Sequence, residues 1–251
     1  MDLDALTQLL MRGGFVAADE EAEELLAAAN GDTARLDAMI GRRLTGEPLA
    51  WITGTAPFCG LWIRVDPGVY VPRGQSELLA GRAAERLPEA GTAIDLCTGS
   101  GAIAATLMHH RPGAHVVASD VDERAVACAR SNGVEAHRGD LFAPFSLAGR
   151  VDVVVGVVPY VPTPDLPLLQ RDTFTFETPL SYDGGADGTG ILRRVAAEAP
   201  HFLRRGGALL LELGGRQADA LRDDLARLGY GELSVLIDED GDVRGIETTL
   251  L

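Results

Sequence analysis

The sequence predicts an α/β fold: a mostly parallel sheet with helices on both faces, preceded by a small helical unit and a β-hairpin. Three observations carry this. From about residue 76, short apolar or β-branched runs alternate with helical stretches, the pattern of a parallel sheet. One of those runs passes through a glycine-rich turn, Cys97-Thr98-Gly99-Ser100-Gly101, into a helical stretch. Before residue 45, leucines recur at helical rather than alternating spacing.

The first 45 residues read as helices. Leu3, Leu6, Leu9 and Leu10 share one helix face, and Ala22, Leu25, Leu26 and Ala29 share another. Asn30-Gly31-Asp32 is a stop-and-restart signal, with Asp32 the predicted cap of a helix holding Leu36, Met39 and Ile40. Nine acids stand against four arginines here, a solvated face or a partner-docking surface. Residues 46–75 change character. Trp51–Gly54 and Leu61–Val65 read as strands around a Gly/Pro-punctuated link, with Trp51 and Trp62 packing the hairpin. Residues 76–251 form the third unit. Its predicted strands are Ala93–Leu96, His115–Ser119, Val134–His137, Asp152–Val155, Ala208–Leu213 and Leu233–Ile237, with Val243–Thr249 as an antiparallel edge. Glu123–Arg130 and Ile191–Leu203 are the clearest helices between them.

Composition excludes several function classes. The 251 residues carry a formal charge of −15, which argues against a grip on nucleic acid or anionic lipid. All 22 basic residues are arginine, so Schiff-base and P-loop lysine chemistry are absent. The N-terminus has acids where a secretory signal has bases, and no apolar run reaches ~20 residues. Three scattered cysteines (Cys59, Cys97, Cys128) fit a reducing compartment, so the expectation is a cytoplasmic protein without disulfides. No CxxC or paired His has metal-ligand spacing, and His109, His110, His115 and His137 read as surface residues.

Ala93–Ala104 runs from a strand through the glycine turn into a helix, where N–H groups point outward and glycines let a ligand approach. It also satisfies GxGxxA, so alone it fits a dinucleotide fold nearly as well. Three acids spaced around the turn separate the two. Asp95 precedes the glycines. Asp120 ends the next strand, 19 residues after Gly101, where an acid holds ribose hydroxyls. Asp140 comes after the third strand beside Leu141 and Phe142, which suits an adenine amino group and ring face. Acids in this order fit S-adenosylmethionine, whose sulfonium is cationic and which has no diphosphate to neutralise. The expected cofactor residues are Asp95, Cys97, Thr98, Gly99, Ser100, Gly101, Asp120, Val121, Asp140, Leu141 and Val157, with Cys97 a small packing residue rather than a nucleophile.

Several segments then resemble one family: the HemK/PrmC protein-(glutamine-N5) methyltransferases, which modify the GGQ glutamine of peptide-chain release factors. The matching residues are Gly46–Gly54 (GEPLAWITG), Phe58–Leu61, Asp66–Arg73, the glycine loop, Asp183–Gly188 and Glu212–Gln217. The resemblance implies a class I SAM-dependent methyltransferase fold, Rossmann-like with a seven-stranded sheet, a helical domain over 1–45, a linking hairpin over 46–75 and a cofactor domain over 76–251. It implies S-adenosylmethionine as cofactor, S-adenosylhomocysteine as product, and a release-factor partner.

Two departures stand out. The family's Asn-Pro-Pro-Tyr reads Val157-Val158-Pro159-Tyr160, and its Arg-Pro-Glu-Thr-Glu reads Arg73-Gly74-Gln75-Ser76-Glu77. By resemblance, the Asn side chain and the next backbone carbonyl accept hydrogen bonds from the substrate amide, and the Tyr packs near it. Val157, Val158, Pro159 and Tyr160 are thus the catalytic segment, and Arg73, Ser76, Glu77 and Tyr160 the acceptor-binding residues. Valine accepts no hydrogen bond. An unpaired donor costs ~1–3 kcal/mol, or ~5–150-fold in rate if fully felt in the transition state. Three readings stay open: a protein-glutamine methyltransferase in which Gln75 or Glu77 substitutes for the lost acceptor; a methyltransferase acting on a small-molecule amine, hydroxyl or carboxylate; and a SAM-binding interaction protein. Glu177, in a shifted Glu-Pro segment, reads as structural; Arg73 reads as a substrate contact or a plain ion pair.

Overall fold

The computed structural model describes residues 1–169 and 175–251. Four helices open the chain: α1 Leu3–Arg12, α2 Ala18–Ala29, α3 Thr33–Leu44 and α4 Leu49–Thr53. Their periodic apolar residues, Leu6, Leu10, Ala22, Leu25, Leu36 and Ile40 among them, form one core. Asp32 caps α3 as predicted, accepting from the Ala34 and Arg35 amides, and so satisfies two N–H groups that the first turn leaves without partners. Buried Arg43 pairs with Glu21 at 2.6 Å and lies over the Phe15 ring.

Trp51–Gly54 is not a strand. It belongs to the single turn α4, which starts after Pro48 and stops at Gly54 in the left-handed region (φ 91°). The turn directs neighbouring apolar side chains at two cores: Ile52 joins the helical one, while Trp51 packs with Ala56 and Val65. Four residues with one β-branched pair could not separate a turn from a strand. The hairpin proper is β1 Thr55–Phe58 with β2 Leu61–Arg64. Cys59 and Gly60 both take positive φ (48° and 74°), the backbone twist a two-residue hairpin favours. Its alternation sends Phe58 and Ile63 into the sheet core and leaves Trp62 67% exposed, so Trp62 does not pack the hairpin.

The main sheet contains β3 Thr92–Leu96, β4 His115–Asp120, β5 Glu135–Arg138, β6 Val151–Gly156, β7 Leu203–Glu212, β8 Ser234–Ile237 and β9 Val243–Thr249, ordered β5-β4-β3-β6-β7-β9-β8. β9 runs opposite to the other six strands of this sheet. Helices α5 Glu77–Arg86, α6 Ala102–His110 and α7 Glu123–Ser131, with α8 Gly190–Glu198 and α9 Gln217–Arg227, cover the two faces over two separate apolar layers. The predicted helix Ile191–Leu203 ends early, at Glu198. Pro200 lacks the N–H needed to continue it, one 3₁₀ turn follows, and Leu203 already starts β7. Strand order reverses between β3 and β6, so the carboxyl ends of these two strands diverge into a crevice. Among the described residues no helix is long and apolar enough to cross a membrane.

Candidate active site

One crevice of about 850 Å³ opens at that reversal, lined beyond β3 by the glycine loop and beyond β6 by Val157–Tyr160. The glycine-loop end is fixed by carboxylates. Asp95, at the end of β3, is 1% exposed and accepts from the Thr98 hydroxyl at 2.6 Å and the Ala104 amide at 3.2 Å, tying the start of the loop to the start of α6. Burial pushes its carboxyl up to about 7. Asp120, at the end of β4, accepts from the Gly99 and Asp122 amides, each at 2.9 Å. Burial raises its carboxyl too, against those two amides. The turn needs its glycines. Gly101 has φ 83°, and a Cβ there would stand 3.0 Å from both Ala129 and Val134. Two residues that are not glycine, Cys97 (φ 55°) and Leu141 (φ 49°), also occupy the left-handed region where strands give way to the crevice. Such conformations persist only where the surroundings hold them. Burial raises the Cys97 thiol well above its usual range, and the neighbouring carboxylates push the same way.

Asn132 ties the hairpin to this loop. Its side chain accepts from the Arg64 amide at 2.9 Å and donates to the Arg64 carbonyl at 2.9 Å and the Ser100 carbonyl at 2.8 Å.

The other end of the crevice is assembled from four distant segments. Tyr160 lies just beyond β6 and donates its hydroxyl to Glu212 Oε1 at 2.9 Å. Gln75 Nε2 lies 3.2 Å from the Tyr160 hydroxyl and 3.3 Å from the same Glu212 oxygen. Gln217 Nε2 donates to the Tyr160 carbonyl at 2.7 Å. The Asp183–Gly188 segment packs on the Tyr160 backbone so closely that a Cβ on Gly184 or Gly188 would overlap it. Burial and the adjacent Glu212 raise the Tyr160 hydroxyl far above its usual range, so it stays protonated. Beside it, buried Glu177 accepts from Arg73 at 2.7 Å, from the Val71 amide at 3.2 Å and from the Tyr182 hydroxyl. Two buried polar atoms here, Ser76 Oγ and Glu212 Oε2, have no hydrogen-bond partner among the described residues.

Of the residues picked out in the sequence, Asp95, Cys97–Ser100, Asp120, Val121, Asp140, Leu141 and Val157–Tyr160 all line the crevice, as do Arg73 and Ser76. Gly101 acts behind the loop, through its packing on α7. Glu77 is not in the crevice: it starts α5 and its carboxylate accepts from the Cys59 amide at the hairpin turn. Asp140 faces the crevice while ion-paired to Arg194 of α8 at 2.8 Å. Arg194, Tyr70 and Tyr182 line the same space and carry no signal of their own in the sequence. Neither does the contact of Glu212 with Tyr160, which comes from pairing β7 beside β6.

The donor set fits a cationic adenosyl compound. Asp95, Asp120 and Asp140 face the crevice, while the two arginines that line it, Arg73 and Arg194, are each bound to a carboxylate. Exposed Val121 offers an apolar wall beside Asp120. Sheet order and crevice together define a class I S-adenosylmethionine-dependent methyltransferase. Residues 60–154 match the family model described as "Methyltransferase small domain". The fold resembles a ribosomal-protein methylase from Lactobacillus delbrueckii subsp. bulgaricus (TM-score 0.54, 20% identity, covering 75% of this chain and 84% of that one). It also resembles a T. thermophilus 16S rRNA methyltransferase in complex with AdoMet and guanosine (TM-score 0.53, 20% identity, 78% of this chain and 44% of that one). Release factor glutamine methyltransferases are closer in sequence. That of Geobacter sulfurreducens is 36% identical over 224 residues (87% of this chain, 76% of that protein). That of Neisseria gonorrhoeae is 38% identical over 241 residues (93% and 84%). The chain belongs to the release factor glutamine methyltransferase family, the HemK/PrmC group, and its cofactor is S-adenosylmethionine.

Proposed function

We propose that this enzyme methylates the side-chain amide nitrogen of a glutamine in a peptide-chain release factor. One observation carries the reading: the glycine loop and Tyr160 line the same crevice, so a donor held at one end meets an acceptor admitted at the other. In this reading Asp120 would hold the ribose hydroxyls and Asp140, Val121 and Leu141 the adenine, while Asp95 bonds Thr98 and the start of α6 on either side of the glycines. Bound there, S-adenosylmethionine supplies an electrophilic methyl on a positively charged sulfur.

The chain's own task is to hold a poor nucleophile. An amide nitrogen shares its lone pair with its carbonyl, so orientation and exclusion of water do most of the work. The Val158 backbone carbonyl is an acceptor that no side-chain change removes. Tyr160, locked by Glu212 and Gln217, forms a wall against which the acceptor packs. Asp95, Asp120 and Asp140 line the crevice and would favour a cationic ligand over an anionic one. The test is transfer of labelled methyl from S-adenosylmethionine to an intact release factor, compared with the same factor carrying Glu in place of its GGQ Gln. Label in the first and none in the second is the expected result; label in neither ends this reading. Val157 and Val158 also present apolar side chains where the family pattern has Asn-Pro, which favours a second reading: a small-molecule amine or hydroxyl as acceptor. Label recovered in a metabolite fraction, and not in protein, is its signature.

A further inference from the structure

The acceptor end has lost a side-chain amide at Val157. It holds another at Gln75, and both residues line the same crevice. The hydrogen bonds around Gln75 decide which way its amide points. Glu212 Oε1 accepts the single Tyr160 proton at 2.9 Å, so the Tyr160 and Glu212 oxygens that face Gln75 are left to accept. The Gln75 atom 3.2 Å from the Tyr160 oxygen and 3.3 Å from Glu212 is therefore the NH₂ group. Its Oε1 must point elsewhere, and among the described residues nothing donates to it.

We propose that Gln75 Oε1 is the acceptor that binds and orients a primary-amide substrate in place of the missing asparagine, with Glu212 as the residue that positions Gln75. This rests on the amide reading above. Glu212 suits the role: it is 1% exposed, ends the interior strand β7, and holds Gln75 and Tyr160 through one oxygen. A glutamate at position 75 would face that carboxylate with like charge, whereas a glutamine gives it a donor and keeps an acceptor for the ligand. The site thereby selects a ligand that donates N–H, an amide over a carboxylate.

The test is calorimetric binding of a Gly-Gly-Gln peptide and its Gly-Gly-Glu counterpart to protein saturated with S-adenosylhomocysteine. Native chain, Gln75→Ala, Gln75→Met, Val157→Asn and the Gln75→Ala/Val157→Asn double variant are compared. The native chain should prefer the glutamine peptide. Both Gln75 variants should weaken it about 10-fold while leaving S-adenosylhomocysteine affinity unchanged. Val157→Asn in the Gln75→Ala background should restore most of the loss. That rescue separates ligand contact from structural support, because an asparagine at 157 returns an acceptor without returning the Gln75 bonds to Tyr160 and Glu212. Unchanged peptide affinity in both Gln75 variants, an equal loss of S-adenosylhomocysteine affinity, or failure of the rescue each overturns the inference. A labelled release factor with peptide affinity indifferent to Gln75 removes the inference and keeps the proposed function. Gln75-dependent amide binding with no labelled release factor does the reverse. A native chain that binds no glutamine peptide and labels no release factor removes both.

Discussion

The two ends of the crevice are built in opposite ways. At the glycine loop, Thr98, Gly99 and Ala104 are pinned by carboxylates at the tips of two adjacent strands, over shorter separations than at Tyr160: Asp95 reaches Thr98 and Ala104, and Asp120 reaches Gly99. At Tyr160 the ties are long. Gln75, Tyr160 and Glu212 come from three separate parts of the chain and meet only because β7 lies beside β6 and α5 begins above both. A locally tied end changes little without losing its ligand. An end made of side chains from distant segments can exchange one acceptor for another and leave the backbone in place. That contrast fits the proposed assignment, in which the glycine-loop end resembles the family pattern and Val157-Val158 at the other end departs from it.

The contrast is broken most directly at Gly101. Gly101→Val puts a branched side chain at positive φ against Ala129 and Val134. It should cost ~3 kcal/mol or more in stability and abolish S-adenosylhomocysteine binding by calorimetry; retained binding would mean the loop is far less constrained than its packing implies. Next comes pH. The Asp95 carboxyl sits above its ordinary value, so the folded chain holds that proton more tightly than the unfolded one. Stability from this group is present in acid and is lost as pH rises from the ordinary carboxylate range through about 7. Asp95→Asn should flatten that slope, seen as a melting-temperature gap between variant and native chain that shifts by roughly 5 °C between pH 5 and pH 8. Asp120→Ala removes the acceptor for the Gly99 and Asp122 amides. It should weaken S-adenosylhomocysteine ~10–100-fold with glutamine-peptide affinity unaltered. The smallest effect belongs to the other end. Tyr160→Phe removes one bond to Glu212 and should lower kcat/KM about 10-fold with donor affinity within about twofold of native. An equal loss at both ends would show that the two are one unit.

Local signals are legible in the sequence. Strand–turn–helix with glycines at fixed offsets locates Asp95 and Gly99–Gly101, and strand endings locate Asp120 and Asp140, because the physics that places them lies within a few residues. The helical spacing of Leu6, Leu10 and Leu25 is legible for the same reason. Trp51–Gly54 reads wrongly as a strand because one turn is too short to show a period, and its stop depends on Gly54 taking positive φ. Trp62 reads wrongly as a packing residue because alternation says that one strand face is buried without saying which. Glu77 looks like part of the acceptor site from its place in a motif, but α5 starts there and turns its carboxylate toward Cys59. Glu212 stands in a motif that carries no role, since its meaning depends on which strand lies next to which. Helix Ile191–Leu203 runs on in the pattern where Pro200 ends it in the chain.

The Asn132 clasp has a practical consequence for anyone dissecting this enzyme. The sheet region looks separable just ahead of residue 76, yet a cut there removes both Arg64 contacts of Asn132 and leaves it only the Ser100 carbonyl. The same cut takes away Phe58 and Ile63, which plug the layer under α5 and α6, and Tyr70 and Arg73 from the crevice wall. An excised fragment would thus be a wounded half rather than a minimal catalyst, and a shortened version that keeps its donor affinity has to begin upstream of the hairpin.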